Sequence, residues 1–310
     1  MKIVYMGTPE FAVLPLKALN DAGHEISLVV TQPDKPKGRG HKMMPPEVKV
    51  FALENDIPVY QPDSMKTDEA YETLKKENAD LFVVAAYGKI LPQRILDLAK
   101  HGSVNIHASL LPKYRGAAPI QYAIICGETK SGVTTMQMNA GLDTGDMLVK
   151  KEVEITPSDT GETLHDKLAL IGAEAILETV KQIENGTLSP EKQDDALSTY
   201  APMIDKTTGV LNFNKSASEL NNLIRALNSY PYATTTYNGT RFKVISANVL
   251  NKDFAGKNGE ILDVSKDGIL VKCAQNAILI TDVQFEGKKK MPVSEYIKGN
   301  KLDTGIILGV

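Results

Sequence analysis

The first half of the chain alternates short apolar runs with segments of helical periodicity. The apolar runs are KIVYMG, EISLVVTQ, IPVY, ADLFVVAAYG and GSVNIHAS, and the helical stretches are FAVLPLKALNDAG, PEVKVFALEN and DEAYETLKKEN. Near-continuous apolar strands separated by helices predict an α/β fold with a mostly parallel sheet covered on both faces. Ligands of such sheets bind at the carboxyl ends of the strands.

The rest of the chain follows a second pattern. SGVTTMQMNAG and GDMLVKKEVEI predict a hairpin joined by GLDTG, and a long helix follows with Asp159 as the expected N-cap and Glu162 completing a capping box. The segment SASELNNLIRALN then precedes five short strands, which predict a small barrel or sandwich. We therefore predict a first domain at 1–189, a polar linker at 190–205 and a second domain at 206–310.

Composition narrows the kinds of site that the chain can hold. Its 310 residues are 42% hydrophobic, and no apolar run approaches the roughly 20 residues of a membrane span. The first residues lack the pattern of a secretion signal, so we expect a cytoplasmic protein. Cys126 and Cys273 are far apart and the histidines show no ligand spacing, so we expect no bound metal.

Charge is unevenly distributed although the net charge is only −3. From Lys206 to the end, 14 Lys and Arg residues stand against 9 Asp and Glu residues, an excess of five positive charges. This third of the chain is suited to a polyanionic partner. A lysine-rich solvated surface explains the same count equally well.

Two polar residues stand at alternate positions of the strand-like run GSVNIHAS. Asn105 and His107 should leave one face of the strand together. An imidazole exchanges protons near neutral pH, and a carboxamide can donate a hydrogen bond to a developing oxyanion. The pair alone is more often structural than catalytic.

The segment GLDTGD offers a carboxylate partner. Asp143 lies between Gly141 and Gly145, in a loop flexible enough to approach the end of the sheet. A carboxylate beside an imidazole fixes its orientation and stabilises its protonated form. Turn formation is the simpler role of an isolated aspartate here.

The segment QPDKPKGRGHKMMPP, residues 32–46, is a basic insertion. It carries Lys35, Lys37, Arg39 and Lys42 against one acid, Asp34, and its prolines and glycines predict a loop without regular structure. A loop of this length in a compact domain is usually functional or disordered. A solvent-exposed loop and a binding element both agree with this pattern of the insertion.

Taken together, three segments of the chain resemble those of the methionyl-tRNA formyltransferase family. SLLPKYRGAAPIQ is similar to the family's folate-site segment, GVTTMQMNAGLDTGDML to its signature around an aspartate, and TQPDKPKGRGHK to its tRNA-specific insertion. The likeness extends over almost the whole chain. The first two segments also resemble glycinamide ribonucleotide and sugar-nucleotide formyltransferases, whereas the insertion and the C-terminal domain narrow the choice.

The resemblance implies a role for each matching residue. Asn105, His107 and Asp143 would be catalytic, and Ser109, Leu110, Leu111, Pro112, Ile90 and Leu91 would contact tetrahydrofolate. Arg39 would hold the tRNA acceptor end, with Lys35, Lys37 and Lys42 near phosphates. It also implies a Rossmann-like N-terminal domain and an OB-like β-barrel as the C-terminal, tRNA-binding domain.

The expected activity is transfer of the formyl group of 10-formyltetrahydrofolate to the amino group of initiator methionyl-tRNA, by a monomer acting in translation initiation. A sugar-nucleotide formyltransferase and a 10-formyltetrahydrofolate hydrolase are the enzymatic alternatives. A catalytically silent RNA-binding module is the non-enzymatic one. The intact set of Asn105, His107 and Asp143 argues against the last.

Overall fold

The computed structural model describes residues 1–37 and 42–309, without the side chains of Lys37 and Lys42. Tertiary contacts divide the chain into two compact units. The first comprises Met1–Pro119, Lys130–Glu154 and His165–Ala201, and the second comprises Ile120–Thr129, Ile155–Leu164 and Pro202–Val310. The division at 1–189, 190–205 and 206–310 stays a prediction.

Up to Ala201, strands and helices largely alternate along the chain. The strands are β1 (Lys2–Gly7), β2 (Glu25–Val30), β3 (Lys35–Lys37), β4 (Lys42–Met44), β5 (Val59–Tyr60), β6 (Leu81–Ala85), β7 (Ser103–His107), β8 (Arg115–Gly116), β9 (Lys130–Gln137), β10 (Met147–Glu154) and β11 (Tyr200–Ala201). The α-helices are α1 (Val13–Asp21), α2 (Glu47–Glu54), α3 (Asp68–Glu77), α4 (Gln93–Leu96), α5 (Pro119–Ile125) and α6 (Gly161–Asn185). The five predicted strands and three predicted helices of the first half are therefore confirmed.

A seven-stranded sheet organises the first unit. Its strand order is β10-β9-β7-β6-β1-β2-β5. The five strands from β7 to β5 pair in parallel, whereas β9 pairs antiparallel with both β7 and β10. Numbered along the chain, the parallel strands follow the order 3-2-1-4-5 that is typical of a doubly wound, Rossmann-like sheet. The predicted parallel sheet and the hairpin next to it are confirmed.

Both faces of this sheet are covered. Val4 and Met6 of β1 pack in one buried cluster with Leu74 of α3 and Ile95 of α4. On the other face, a Cβ added to Gly172 of α6 would lie 3.4 Å from Ile106 of β7. Because side chains alternate along a strand, a shift of β7 by one residue would exchange its two faces. The register therefore fixes which side chains of β7 face each layer.

Two local predictions are wrong. The basic insertion contains regular structure, because β3 and β4 pair antiparallel with Pro36 opposite Met43. A two-stranded ribbon tolerates proline, since each strand has an edge that needs no N–H donor. The N-cap of α6 is Thr160 rather than Asp159: the Thr160 hydroxyl accepts from the Thr163 N–H, and the Thr163 hydroxyl accepts from the Thr160 N–H. The Asp159 carboxylate instead accepts from the Thr156 N–H.

The second unit is built around an antiparallel sheet. Its elements are α7 (Ala217–Ala226), β12 (Ala233–Tyr237), β13 (Thr240–Leu250), β14 (Ile261–Ser265), β15 (Gly268–Lys272), β16 (Ala277–Phe285), β17 (Met291–Pro292) and α8 (Val293–Tyr296). The strand order is β12-β13-β16-β15-β14, with β17 also paired to β16. Helix α7 begins with a capping box between Ser216 and Glu219. Leu220 and Ile224 on this helix join the same buried cluster as Phe242 on β13.

The expected OB-like barrel is not confirmed. Among the described residues, the edge strands β12 and β14 do not pair directly with each other, although residues 305–309 form backbone hydrogen bonds with Ile261 of β14 and Thr236 of β12. The sequence pattern correctly predicted short antiparallel strands, but strand pattern alone does not determine whether a sheet closes. Within the described ranges, none of the helices combines the length and apolar character needed to cross a bilayer.

Candidate active site

Strand β7 carries the polar side chains of Asn105 and His107 on one face of the sheet. Asn105 pairs with Val84 of β6 on one side and with Met136 of β9 on the other. Asn105 and His107 share one face, because they are two residues apart, while Ile106 between them faces α6. The predicted juxtaposition of the amide and the imidazole on one face is thus present.

The His107 ring lies between two oxygen atoms. Its Nε2 is 2.9 Å from the Tyr114 carbonyl oxygen, and its Nδ1 is 3.7 Å from Asp143 Oδ2. Nε2 must donate in the first contact, because a carbonyl oxygen can only accept. His107 is only 5% exposed. The ring is therefore held at a fixed orientation, with a carboxylate beside its Nδ1.

Asp143 lies in the loop between β9 and β10. Its backbone is left-handed, with φ of 51°, and its Oδ2 accepts a hydrogen bond of 2.8 Å from the Gly116 N–H. Gly145 lets the loop fold closely, since a Cβ there would lie 1.6 Å from the Gln137 carbonyl oxygen. The loop thus brings the carboxylate to His107, as the sequence predicted. The Gly116 N–H that anchors this carboxylate is a backbone group, so the sequence does not reveal its role.

The Asn105 side chain is available for a ligand. It is half-buried, and no hydrogen bond joins its amide to another of the described residues. An amide NH2 with no protein acceptor can donate to an incoming oxygen atom. The site therefore contains a donor, an imidazole and a carboxylate on neighbouring elements.

The segment after β7, residues 109–112, is held in place by hydrogen bonds, and we call it the ledge. Ser109 donates through its hydroxyl to the Lys113 carbonyl oxygen at 2.6 Å. The Thr134 hydroxyl donates to the Ser109 carbonyl oxygen at 2.8 Å and accepts from the Leu111 N–H at 3.1 Å. These bonds tie the segment to β9, next to His107.

The apolar residues predicted to contact folate differ in exposure. Leu111 is 2% exposed and packs with Met136 and Met147, whereas Leu110 and Pro112 are partly exposed. Ile90 is 81% exposed and Leu91 is 6% exposed. Leu110, Pro112 and Ile90 consequently expose apolar surface, while Leu111 and Leu91 are buried.

The base of the basic insertion is anchored by a polar network. Lys49 Nζ donates to Asp34 Oδ1 at 2.8 Å and to Gln61 Oε1 at 2.7 Å. These hydrogen bonds, from Lys49 first and then Gln61, hold the pKa of the Asp34 carboxyl below its ordinary value. Lys35 is exposed, and its Nζ donates to Gln32 Oε1 at 2.7 Å.

The structure describes the remaining residues predicted to bind tRNA only in part. Arg39 lies outside the described residues, and Lys37 and Lys42 are described by their backbone alone. Across the ranges 1–37 and 42–309, no three His, Cys, Asp or Glu side chains are grouped as metal ligands.

Comparisons with known proteins show the family. The family model for formyl transferases matches residues 1–180, and that for the formyl transferase C-terminal domain matches residues 203–301. A methionyl-tRNA formyltransferase of Acetivibrio thermocellus is 51% identical over 310 residues, covering 100% of both chains. This chain belongs to the methionyl-tRNA formyltransferase family. A relative of the same name in Clostridioides difficile is 50% identical over 309 residues, again covering 100% of both chains.

A solved structure shares the fold at lower identity. An N-formyltransferase from Helicobacter canadensis, in complex with folinic acid and dTDP-3-aminofucose, has a TM-score of 0.69 at 23% identity, covering 92% of this chain and 99% of that chain. At this identity the likeness shows the fold alone. The family resemblance drawn from the three sequence segments is confirmed by the full-length relatives.

Proposed function

We propose that this protein transfers the formyl group of 10-formyltetrahydrofolate to the amino group of methionine carried by initiator tRNA. The observation that carries the proposal is the match of about half of all residues over the full chain to proteins named methionyl-tRNA formyltransferase. The placement of His107 between Tyr114 and Asp143 supports a proton-transfer reaction at the same site.

The chemistry assigns a role to each polar side chain. The amine nitrogen attacks the formyl carbon, the bond from that carbon to folate N10 breaks, and one proton moves from the amine to the leaving nitrogen. His107 assists this proton transfer, directly or through water, and Asp143 stabilises the ring when it carries the proton. Asn105 donates to the oxyanion of the tetrahedral intermediate.

The ledge after β7 is suited to the flat donor. Leu110 and Pro112 offer apolar surface, and the bonds of Ser109 and Thr134 keep this surface in place. Ile90 provides a further exposed apolar side chain. We propose that these residues hold the folate rings, with Leu111 and Leu91 as buried support.

A basic surface on the second unit is suited to tRNA phosphates. Lys243 Nζ lies 4.8 Å and Lys290 Nζ 4.3 Å from the centre of the Tyr232 ring, and Lys290 also donates to the Tyr232 hydroxyl. Arg241 is exposed, and it lines the same depression of about 440 Å³ as Lys243. We call Arg241, Lys243 and Lys290, with Tyr232, the basic face. On the sequence resemblance alone, we also propose that Arg39, with Lys35, Lys37 and Lys42, contacts the acceptor end.

The proposed reaction is tested by supplying competing acceptors. Purified protein is incubated with 10-formyltetrahydrofolate and either methionyl-tRNA, uncharged tRNA or a dTDP-amino sugar. We expect formylmethionyl-tRNA as the product and no formylation of the other two. Formyl transfer to the amino sugar without transfer to methionyl-tRNA would contradict the proposal, and donor consumption that needs no acceptor would indicate a hydrolase.

Asn105→Ala should lower kcat about tenfold, because one donor to the oxyanion is lost in a partly solvated site. Donor affinity should change less than about twofold, since the oxyanion exists only along the reaction path. Single-turnover rates and calorimetry with an unreactive folate measure the two quantities. A loss of affinity as large as the loss of rate would instead assign Asn105 to folate positioning.

Replacing Lys243 and Lys290 together by alanine should weaken tRNA binding about tenfold near 0.1 M salt. Loss of two phosphate contacts should also reduce the salt slope of log K by about two. Binding is measured by fluorescence anisotropy at several salt concentrations. Lys298→Ala is the control, because Lys298 is ion-paired with Glu295 on the exposed surface of α8. An equal effect of the control would show that only overall charge matters.

A further inference from the structure

The polar stretch predicted to be a linker runs alongside the candidate active site. Within the first unit, β11 pairs in parallel with β8, and the Arg115 N–H donates to the Thr199 carbonyl oxygen at 2.9 Å. The Tyr114 N–H donates to the Thr199 hydroxyl at 2.8 Å. Tyr114 is the residue whose carbonyl oxygen accepts from His107. One end of this stretch therefore supports the Nε2 side of the His107 ring.

Gln193, six residues earlier, supports the other side of the ring. Its Nε2 donates to the Asp143 carbonyl oxygen at 2.8 Å and to the Gly145 carbonyl oxygen at 2.7 Å. Its Oε1 accepts from Arg115 Nε at 3.0 Å and from Arg115 Nη2 at 2.8 Å. All four hydrogen-bonding possibilities of the amide are thus directed at the loop of Asp143 and at β8.

The environment of Gln193 sets it apart from its neighbours. Glu191, Lys192, Asp194 and Asp195 are exposed, whereas Gln193 is half-buried and turned into the protein. The loop that it holds includes Asp143, whose left-handed backbone is less favourable than an ordinary helical or extended one. An amide that bridges two carbonyl oxygens of such a loop can keep it in one conformation.

We propose that Gln193 is a positioning residue for formyl transfer, which fixes the loop so that the Asp143 carboxylate stays beside His107. The inference rests on the proposed function. Gln193 acts through Asp143 and contacts no reacting atom. Arg115 in turn holds the Gln193 amide, so that its NH2 group faces the loop.

Gln193→Glu separates the two sides of this bridge. The carboxylate of the new glutamate still accepts hydrogen bonds from Arg115. It cannot donate to the carbonyl oxygens of Asp143 and Gly145, and its negative charge repels them. We expect kcat to fall about tenfold, with the KM values for donor and methionyl-tRNA unchanged within about twofold. Asp195→Asn is the matched control, because it removes the negative charge that faces Arg115 at an exposed site and leaves the loop intact. Its kcat should equal that of the wild type.

A double-mutant cycle with Asp143→Asn distinguishes positioning from a general loss of structure. If Gln193 acts through the carboxylate, Gln193→Glu should cost less than about twofold once the carboxylate is absent. An equal loss in both backgrounds, or a normal kcat for Gln193→Glu in the wild-type background, would overturn the inference.

Hydrogen exchange tests the inference separately from activity. The Gly116 N–H donates to Asp143, so its exchange should be faster in Gln193→Glu than in Asp195→Asn. Unchanged exchange would contradict the positioning role. A wild-type protein that formylates no methionyl-tRNA would contradict the proposed function, whereas an active wild type with an unimpaired Gln193→Glu variant would contradict this inference alone.

Discussion

His107→Ala should lower kcat by about 100-fold or more while the protein remains folded. The proposal assigns the proton transfer to this imidazole, and removal of a proton-transfer group typically costs 10²- to 10⁴-fold. Its ring is held by one carbonyl oxygen and faces one carboxylate at the end of β7 rather than packing in one of the buried apolar clusters. Single-turnover formylation at saturating substrates measures the effect.

The control for this variant is His101→Ala. His101 is exposed in the turn before β7, and its replacement removes an imidazole from the same region without touching the site. Folate affinity and the thermal unfolding midpoint of His107→Ala should remain close to those of the wild type. Near-normal turnover of His107→Ala would show that the proton moves without this ring.

The sequence was sufficient to predict the sheet and the strand that carries the site. Its apolar runs are long enough to be recognised, and the alternation along β7 placed Asn105 and His107 on one face. The GLDTG connection was also correctly interpreted as the turn of a hairpin, since β9 and β10 pair antiparallel. Each of these predictions rests on a pattern of apolar and polar positions that repeats over neighbouring residues.

The groups that orient His107 could not be predicted in the same way. Tyr114 acts through its carbonyl oxygen and Gly116 through its N–H, and backbone groups occur at every residue irrespective of side chain. Gln193 lies 50 residues from Asp143 in a polar stretch where glutamine has no special meaning. Such contacts depend on tertiary placement of loops, which hydrophobic periodicity does not describe.

The errors have a similar origin. Prolines and glycines suggested an irregular insertion, but cross-strand pairing of β3 with β4 outweighs their local preference. Asp159 and Thr160 are both good N-cap residues, so sequence could not decide between neighbours. The barrel prediction is not confirmed rather than wrong, and whether the edges of a sheet close is something that no strand's own pattern encodes.

Asp143→Asn should lower kcat by about 100-fold, which corresponds to about 2.7 kcal/mol of transition-state stabilisation. Asparagine keeps an oxygen atom for the Gly116 N–H and tolerates the left-handed backbone at φ of 51°, so the loop should stay in place. What it removes is the negative charge that faces His107 Nδ1 at 3.7 Å. The substitution therefore distinguishes stabilisation of the protonated ring from simple turn formation.

Asp146→Asn is the control for Asp143→Asn, because it makes the same change of charge three residues further along the chain. Its turnover should match that of the wild type, whereas Asp143→Asn should show a lower kcat with donor affinity unchanged within about twofold. In the double variant with His107→Ala, loss of the Asp143 charge should add little, since the group that it stabilises is gone. If Asp143→Asn instead kept more than about half of wild-type kcat, the carboxylate would serve to form the turn, and His107 would have to act without an electrostatic partner.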